Sequence, residues 1–331
     1  MGARGEMQDT TLHPVISIII PTKNNGDTIE DCMESLVGLE YPEDQYEIII
    51  VDGHSRDGTV AIAERYGAKI FYEDGGTRAA ACNVGLSHVR GDYVAFTDAD
   101  CVVDTMWLAS ALKYFEDAAV AGVGGPNIVP DDVVSFGKAI DFVLSHTIFS
   151  AGATYAKRLG VPMEVESIGG CNSIYQTEVL REVFPIDEIP TAEDALLNHR
   201  IRLRGLRLID APDVVVWHYR HWDTPKLFFR RMIAYARGRV QAGRIYDEMV
   251  KPMHKLAGFS LPVVCLAMVM LFFLHKSIFL AVVGVGLSLL LFFSVKCLYD
   301  TKSLDVALRV PLVIMIEWIG WSIGYMKETF T

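Results

Sequence analysis

No CxxC pair and no zinc-type spacing occurs among the six cysteines, Cys32, Cys82, Cys101, Cys171, Cys265 and Cys297. That absence excludes a disulfide-stapled scaffold and a zinc ribbon, and leaves the thiols as small core residues of a reduced compartment. Also missing are the GxGxxG and GxxxxGKS/T loops that would announce a dinucleotide or P-loop site, which disfavours dehydrogenase and NTPase readings. Charge is scarce: 21% of residues are charged against 51% hydrophobic, with a mean hydropathy of +0.27. Such a balance excludes a disordered chain and a coiled coil. A basic surplus is lacking as well, with 30 Lys and Arg against 41 Asp and Glu and a formal net charge of -11. No nucleic-acid partner is therefore expected. The opening stretch MGARGEMQDTTLHPV carries no apolar h-region, so no signal peptide is expected and the soluble part is expected in the cytosol.

What the 331 residues do contain is unevenly placed apolar sequence. Segments 256–274 and 277–295 are each 19 residues without a charge, separated by His275-Lys276 as the only polar break. At ~1.5 Å per residue, each is roughly as long as a bilayer core is thick. They read as a tight membrane hairpin. A third apolar run, 304–326, carries Asp305, Arg309 and Glu317; it either spans or lies partly buried against the hairpin. A buried helical core of a soluble domain is the alternative, disfavoured by two adjacent uncharged 19-residue runs.

Residues 15–219 alternate short β-branched runs with helix-like stretches. Strands are expected at 15–20, 46–52, 68–73 and 92–98, and helices at 27–39, 59–67 and 77–90. Alternation of this kind implies an α/β fold with a mostly parallel central sheet. Ligands of such sheets gather at the carboxyl ends of the strands, so the polar residues just after each strand matter most. After the first come Pro21-Thr22-Lys23-Asn24-Asn25-Gly26, and after the second Asp52-Gly53-His54-Ser55-Arg56-Asp57-Gly58-Thr59. Their carboxylate, amide and hydroxyl groups suit a base and a ribose. Equally, they are ordinary turn and helix-cap residues. The fourth strand ends in Asp98-Ala99-Asp100, an oxygen pair able to approach a hard divalent cation, although a solvated turn also explains it.

Together these pieces carry a resemblance. SIIIPTKNN (17–25), YEIIIVDGHSRDGT (46–59), GGTRAAACNVGLSHVRGDYVAFTDAD (75–100), GGCNSIY (169–175) and EDALLNHRIRLRG (193–205) stand in family order over about 200 residues. They resemble the family-two glycosyltransferases, which have a GT-A nucleotide-sugar-binding fold. The resemblance implies that Asp52 sits near the base with the Pro21-Thr22 loop beside it. It implies that Asp98 approaches the ribose or phosphates and that Asp100 holds a metal, Mg2+ or Mn2+. Asp57, Arg78 and Asn83 join the expected donor-binding set. The family often has a second acidic residue after Asp52; here that position is Gly53, which departs from the base contact.

In the second half, Gly170, Cys171 and Asn172 resemble the family's loop beneath the donor sugar, where small residues let substrate approach the backbone. Glu193-Asp194 resembles the acidic pair whose Asp194 deprotonates the acceptor. A helix N-terminus also favours such residues, and both readings hold at once. His218 is a further metal ligand, a diphosphate contact or a structural histidine. Cys171 has no evident partner base nearby and reads as small-residue packing rather than a nucleophile.

Residues 220–255 carry Arg220, Lys226, Arg230, Arg231, Arg237, Arg239, Arg244, Lys251 and Lys255 against only Asp223, Asp247 and Glu248. With Phe228, Phe229 and Tyr235 interleaved, this suggests an amphipathic helix on an anionic membrane surface, the catalytic side facing the cytosol. The polymerising cellulose and hyaluronan synthases carry a QxxRW motif that is absent here. The expected organisation is a GT-A catalytic domain over 1–219, a basic interfacial segment over 220–255 and a transmembrane region over 256–327. The expected function is a multi-pass, cell-membrane, inverting glycosyltransferase. It would use a nucleoside-diphosphate sugar (a UDP-sugar by expectation) and a lipid-linked or membrane-associated acceptor. Direct transfer to a polyprenyl or dolichyl phosphate, or a non-catalytic nucleotide-sugar-binding scaffold, are the alternatives.

Overall fold

A computed structural model describes residues 13–150, 160–186, 189–219 and 224–331. Arg220 and Asp223 of the basic stretch, and residues 1–12 of the opening stretch, lie outside the described residues. In chain order the first elements are β1 (Ile16–Thr22), α1 (Ile29–Val37), β2 (Tyr46–Asp52), α2 (Thr59–Arg65), β3 (Lys69–Tyr72), α3 (Arg78–Leu86), β4 (Tyr93–Thr97) and β5 (Cys101–Val103). Next come α4 (Trp107–Leu112), β6 (Val120–Gly124), β7 (Asn127–Ile128), α5 (Ser135–Ser145), α6 (Thr147–Ser150), β8 (Met163–Glu164), β9 (Asn172–Gln176), α7 (Thr177–Val183) and α8 (Glu193–Leu203). The rest are β10 (Arg207–Asp210), β11 (Val216–His218), α9 (Pro225–Ile245), α10 (Pro252–Leu274), α11 (Lys276–Thr301) and α12 (Leu304–Thr329).

Eight strands form the central sheet in the order β3-β2-β1-β4-β9-β6-β10-β8. The β3, β2, β1 and β4 ladders are parallel, as is β6 with β10, while β9 runs antiparallel between β4 and β6. Alternating side chains bury both faces. Ile18, Ile20, Ile48 and Ile50 enter one core with α1, and Ile19, Ile49 and Val51 enter the other with Ala81 and Cys82 of α3. Gly91 permits the tight return into β4, since a Cβ there would stand 2.6 Å from the Ser17 amide nitrogen. A second sheet, β5-β11-β7, folds over the carboxyl ends and brings His218 opposite Cys101.

Three helices, α10, α11 and α12, are long and apolar enough to cross a membrane by length and composition. They differ in packing. The most apolar windows of α10 and α11 are 6% and 0% buried, against 39% for α12, so α12 is the inner helix. It lies along α9, where Phe228, Met232, Ala236 and Val240 recur every four residues to make one buried face. Gly320 and Gly324 let the backbones meet: a Cβ at 324 would lie 2.5 Å from the Ile233 carbonyl oxygen. Glu328 accepts from Arg237 Nε at 2.7 Å, Gln241 Nε2 at 2.9 Å and Arg244 Nη1 at 3.3 Å. Two basic residues of α9 are thus paired with the last turn of α12. Trp318 and Ser322 then bond Ser260 Oγ and the Gly258 carbonyl of α10 at 2.7 and 2.6 Å.

Candidate active site

The site is built at the carboxyl ends of β1, β2 and β4, where their backbones splay and loops begin. At its far end two loops are laced together by their own side chains. Asp52, fully buried, accepts from Thr22 Oγ1 at 3.0 Å, from the Ser55 amide at 2.7 Å and from Ser55 Oγ at 2.5 Å. These use three of about four carboxylate lone-pair positions and leave one on Oδ2. Asp57 accepts from the Gly26 amide at 2.9 Å and from both the amide and hydroxyl of Thr59. The Thr59 hydroxyl, with those amides, holds its carboxyl below the usual carboxylate range. Pro21 is half-buried at the end of β1.

Arg78 is the hub of the middle. Thr77 caps α3 by accepting from the Ala80 amide at 3.1 Å, which sets Arg78 at the first helical position. Its Nε donates to Asp98 Oδ1 at 3.0 Å, Nη1 to Glu193 Oε1 at 3.0 Å, and Nη2 to the Gly170 carbonyl at 2.6 Å. A Cβ on Gly170 would lie 2.9 Å from Nη1, so the guanidinium needs glycine there. Burial alone would lower the Arg78 pKa, but Asp98 and Glu193 drive it well above the usual value. Burial conversely raises the Glu193 carboxyl, with Arg78 opposing and Asp194 reinforcing.

Glu193 and Asp194 open α8 behind Ala192, whose left-handed backbone (φ 65°) turns the chain into the helix. Asp194 accepts from the Gly170 amide at 3.2 Å and from the Ala195 amide at 2.7 Å, leaving about half its lone-pair capacity. On the other side of Arg78, Asp100 Oδ1 lies 3.2 Å from His218 Nε2. Asp98, Asp100 and His218 bring one ligand atom each within 4.8 Å of the others. Two carboxylates and an imidazole make a donor set that fits Mg2+ or Mn2+. Burial pulls the His218 pKa down, yet the Asp100 carboxylate and Cys171 override it and push it up to about 10. The surroundings therefore favour a positive charge here.

Two expected substrate residues have their amides engaged by the protein itself. Asn83 exchanges both amide bonds with the Ile186 backbone at 3.1 Å. Asn172 accepts from Trp107 Nε1 at 2.9 Å and donates to the Val214 carbonyl at 2.8 Å. Cys171 Sγ faces His218 Nδ1 at 3.5 Å.

Glu73 escaped the sequence reading. It follows β3, is 5% exposed, and accepts from the Gly76 amide at 2.8 Å. A Cβ at Gly53 would stand 3.0 Å from Glu73 Oε1, so this carboxylate occupies the flank of the position where the family often has an acidic residue. The strand-end rule applied to β3 as it was to β1 and β2 would have found it.

Comparison with known proteins places this geometry. The family model for glycosyl transferase family 2 matches residues 17–184, just over half of the chain. The chain belongs to that family. Among curated relatives, the family-2 chain is 28% identical over 237 residues to a Methanococcus voltae enzyme. That protein is described as dolichyl N-acetyl-alpha-D-glucosaminyl phosphate 3-beta-D-2,3-diacetamido-2,3-dideoxy-beta-D-glucuronosyltransferase (66% of this chain, 71% of the relative). It is 25% identical over 330 residues to the probable glycosyltransferase YdaM of Bacillus subtilis (95% and 73%). It is 33% identical over 122 residues to glycosyltransferase AglE of Haloferax volcanii, covering 40% of that protein's length. Among solved structures, the mannosyltransferase PcManGT of Pyrobaculum calidifontis, in complex with GDP-Man and Mn2+, superposes with a TM-score of 0.68. Its identity is 20%, over 96% of this chain and 88% of that one, so the likeness establishes the GT-A fold. The expected fold and family are therefore borne out, as is glycosyltransferase identity at that level.

Proposed function

We propose that this family-2 glycosyltransferase is membrane-anchored, metal-dependent and inverting. It would move a sugar from a nucleoside-diphosphate donor to a lipid-linked or membrane-associated acceptor at the cytosolic face. The observation that carries the proposal is the Arg78 hub. One guanidinium fixes Asp98, the Gly170 carbonyl and Glu193, holding the Asp98-Asp100-His218 donor set on one side and Asp194 on the other. A divalent ion bound to that set supplies charge neutralisation for a departing diphosphate.

The chain's own residues do the rest. Asp52 keeps one lone-pair position for a donating edge of the base, with Glu73 close by. Asp194 accepts the proton of the acceptor hydroxyl as its oxygen bonds to the anomeric carbon, and the carbon–oxygen bond to diphosphate breaks with its electron pair on the leaving group. One displacement with no enzyme nucleophile inverts the carbon. The outward apolar faces of α10 and α11 support a lipid setting for the acceptor.

Direct transfer to a polyprenyl or dolichyl phosphate is favoured by one observation, Arg239 of α9. It is partly buried, its Nη1 donates to the Met249 carbonyl at 3.4 Å, and burial lowers its pKa while the carboxylates of Asp194 and Glu166 act to raise it. The name of the Methanococcus voltae relative, by contrast, describes transfer to the 3-position of a sugar already carried on dolichyl phosphate, which supports the lipid-linked acceptor of the first reading. Radiolabelled UDP- and GDP-sugars, screened with membranes as the acceptor source, test both readings. Label in an organic-extractable product supports the proposal, and its absence with every donor overturns it. Mild acid releases the label in either case: a released labelled monosaccharide selects direct transfer, and a released labelled disaccharide or longer glycan selects a lipid-linked sugar acceptor.

A further inference from the structure

Behind the oxygen-rich donor set lies a second cluster that the proposed reaction leaves unused. Cys101 begins β5, Cys171 immediately precedes β9 and His218 ends β11, and the β5–β11 ladder pairs His218 directly with Cys101. All three are buried, and their two sulfurs and an imidazole nitrogen lie within 4.8 Å of one another. His218 is shared: Nδ1 is 3.5 Å from Cys171 Sγ, and Nε2 is 3.2 Å from Asp100 Oδ1. Packing accounts for a single buried thiol. Two thiols converging with an imidazole form a different chemical object. Zinc bonds of about 2.0–2.3 Å set neighbouring ligand atoms roughly 3.3–3.8 Å apart, a spacing that Cys171 Sγ and His218 Nδ1 already meet at 3.5 Å.

We propose that Cys101, Cys171 and His218 Nδ1 bind a soft divalent ion such as Zn2+, and that this binding withdraws His218 from the hard-ion site at Asp98 and Asp100. Thiolates select zinc-like ions, whereas Mg2+ and Mn2+ prefer oxygen, so the two halves of the His218 ring face ions of opposite character. Binding the ion displaces whatever protons the two sulfurs and His218 Nδ1 hold in the metal-free protein. A neutral imidazole has one free lone pair and one N–H. With Nδ1 on the soft ion, Nε2 carries the proton and donates to Asp100, so it cannot ligate. The exclusion clause rests on the reading of His218 as a hard-ion ligand; the soft site itself does not.

Cadmium titrated into the full-length protein, in detergent with a phosphine reductant, tests the site. The background is Cys265→Ser, because Cys265 is the exposed cysteine. A thiolate-to-cadmium ultraviolet band should saturate at one equivalent, and Cys101→Ser should weaken it by more than the roughly 10–100-fold that losing an outer partner costs. Mn2+-supported nucleotide binding should survive that substitution, which shows the variant folded. In the zinc-loaded protein, X-ray absorption should report two sulfurs at about 2.3 Å and one nitrogen at about 2.0–2.1 Å. This measurement decides the matter even if Cys101→Ser fails to fold. No band, a zinc shell without sulfur, or cadmium affinity unchanged in folded Cys101→Ser overturns the site. With zinc bound, nucleotide binding should need at least tenfold more Mn2+; an unchanged requirement overturns the exclusion. Failure of the transferase reading would show separately, as no Mn2+-dependent nucleotide binding without zinc.

Discussion

The catalytic body and the α10–α11 pair use apolar residues in opposite ways. In the body, Ile18, Ile19, Ile49 and Ile50 are fully buried and polar side chains are tied down one by one, as Asp52, Asn172 and Arg78 show. In α10 and α11, Leu266, Val285 and Leu291 are more than 60% exposed. Apolar content alone does not say where a helix belongs. The partners of its small residues do, and by that measure α12 sides with the body.

The sharpest break of the comparison lies at the base. Asp194→Asn should keep donor binding and lose transfer by about 10²–10⁴-fold in rate, because the near-isosteric amide cannot take the proton. Steady-state transfer alongside calorimetric nucleotide binding checks it. Removing the hub comes next. Arg78→Met should cost about 3 kcal/mol in stability, since Glu193 would be left a buried charge without its partner. The loss should appear as a lower thermal midpoint in detergent. Arg78→Lys should recover only part of it, because an ammonium cannot span Asp98, Glu193 and Gly170 as a guanidinium fork does.

Away from the site, Glu47 gives the body a pH signature that the exposed helices lack. Burial raises its carboxyl, but hydrogen bonds from Lys69, Ser17 and Arg90 outweigh that and bring it to about 2. A carboxyl depressed in the folded state contributes stability that is present above its unfolded value, near 4.3, and lost as pH falls through about 2. Between those limits the wild-type thermal midpoint should fall, by an amount equivalent to roughly 2–3 kcal/mol, and Glu47→Gln should flatten that slope. The smallest contrast compares two glycines. Gly324→Leu forces side-chain atoms into the Ile233 backbone and should destabilise by about 1–3 kcal/mol, whereas Gly284→Leu in α11, with nothing within 4 Å, should be neutral. Thermal unfolding of both in the same detergent would separate the packed helix from the outward-facing one.

Much of this was legible without coordinates. The β1, β2 and β4 runs were readable because they are continuous β-branched sequence between turn residues. The strand-end rule then located Asp52, Asp98 and Asp100. The apolar helices announced themselves by length. What stayed hidden depends on distance in three dimensions. Arg78 looked like a donor contact from its place after β3, yet its partners Gly170 and Glu193 lie 92 and 115 residues away. Insertion of β9 between β4 and β6 is decided by those strands' open edges rather than by the GGCNSIY segment itself. Asn83 and Asn172 have the right chemistry for a sugar, but their amides are consumed by Ile186, Trp107 and Val214.

The clasp between Glu328 and α9 has a mechanical consequence. Body and tail meet directly there: α12 lies against α9 through glycine contacts and ends in a carboxylate held by Arg237, Gln241 and Arg244. In the proposed lipid setting, the cleft then rides at a fixed height and tilt, like a tool bolted to its stand. Bilayer thickness becomes an input, since helices of 23 and 26 residues span about 35–39 Å and must lean when the hydrocarbon layer thins. Every degree of that lean would be carried into the angle at which the cleft meets the surface.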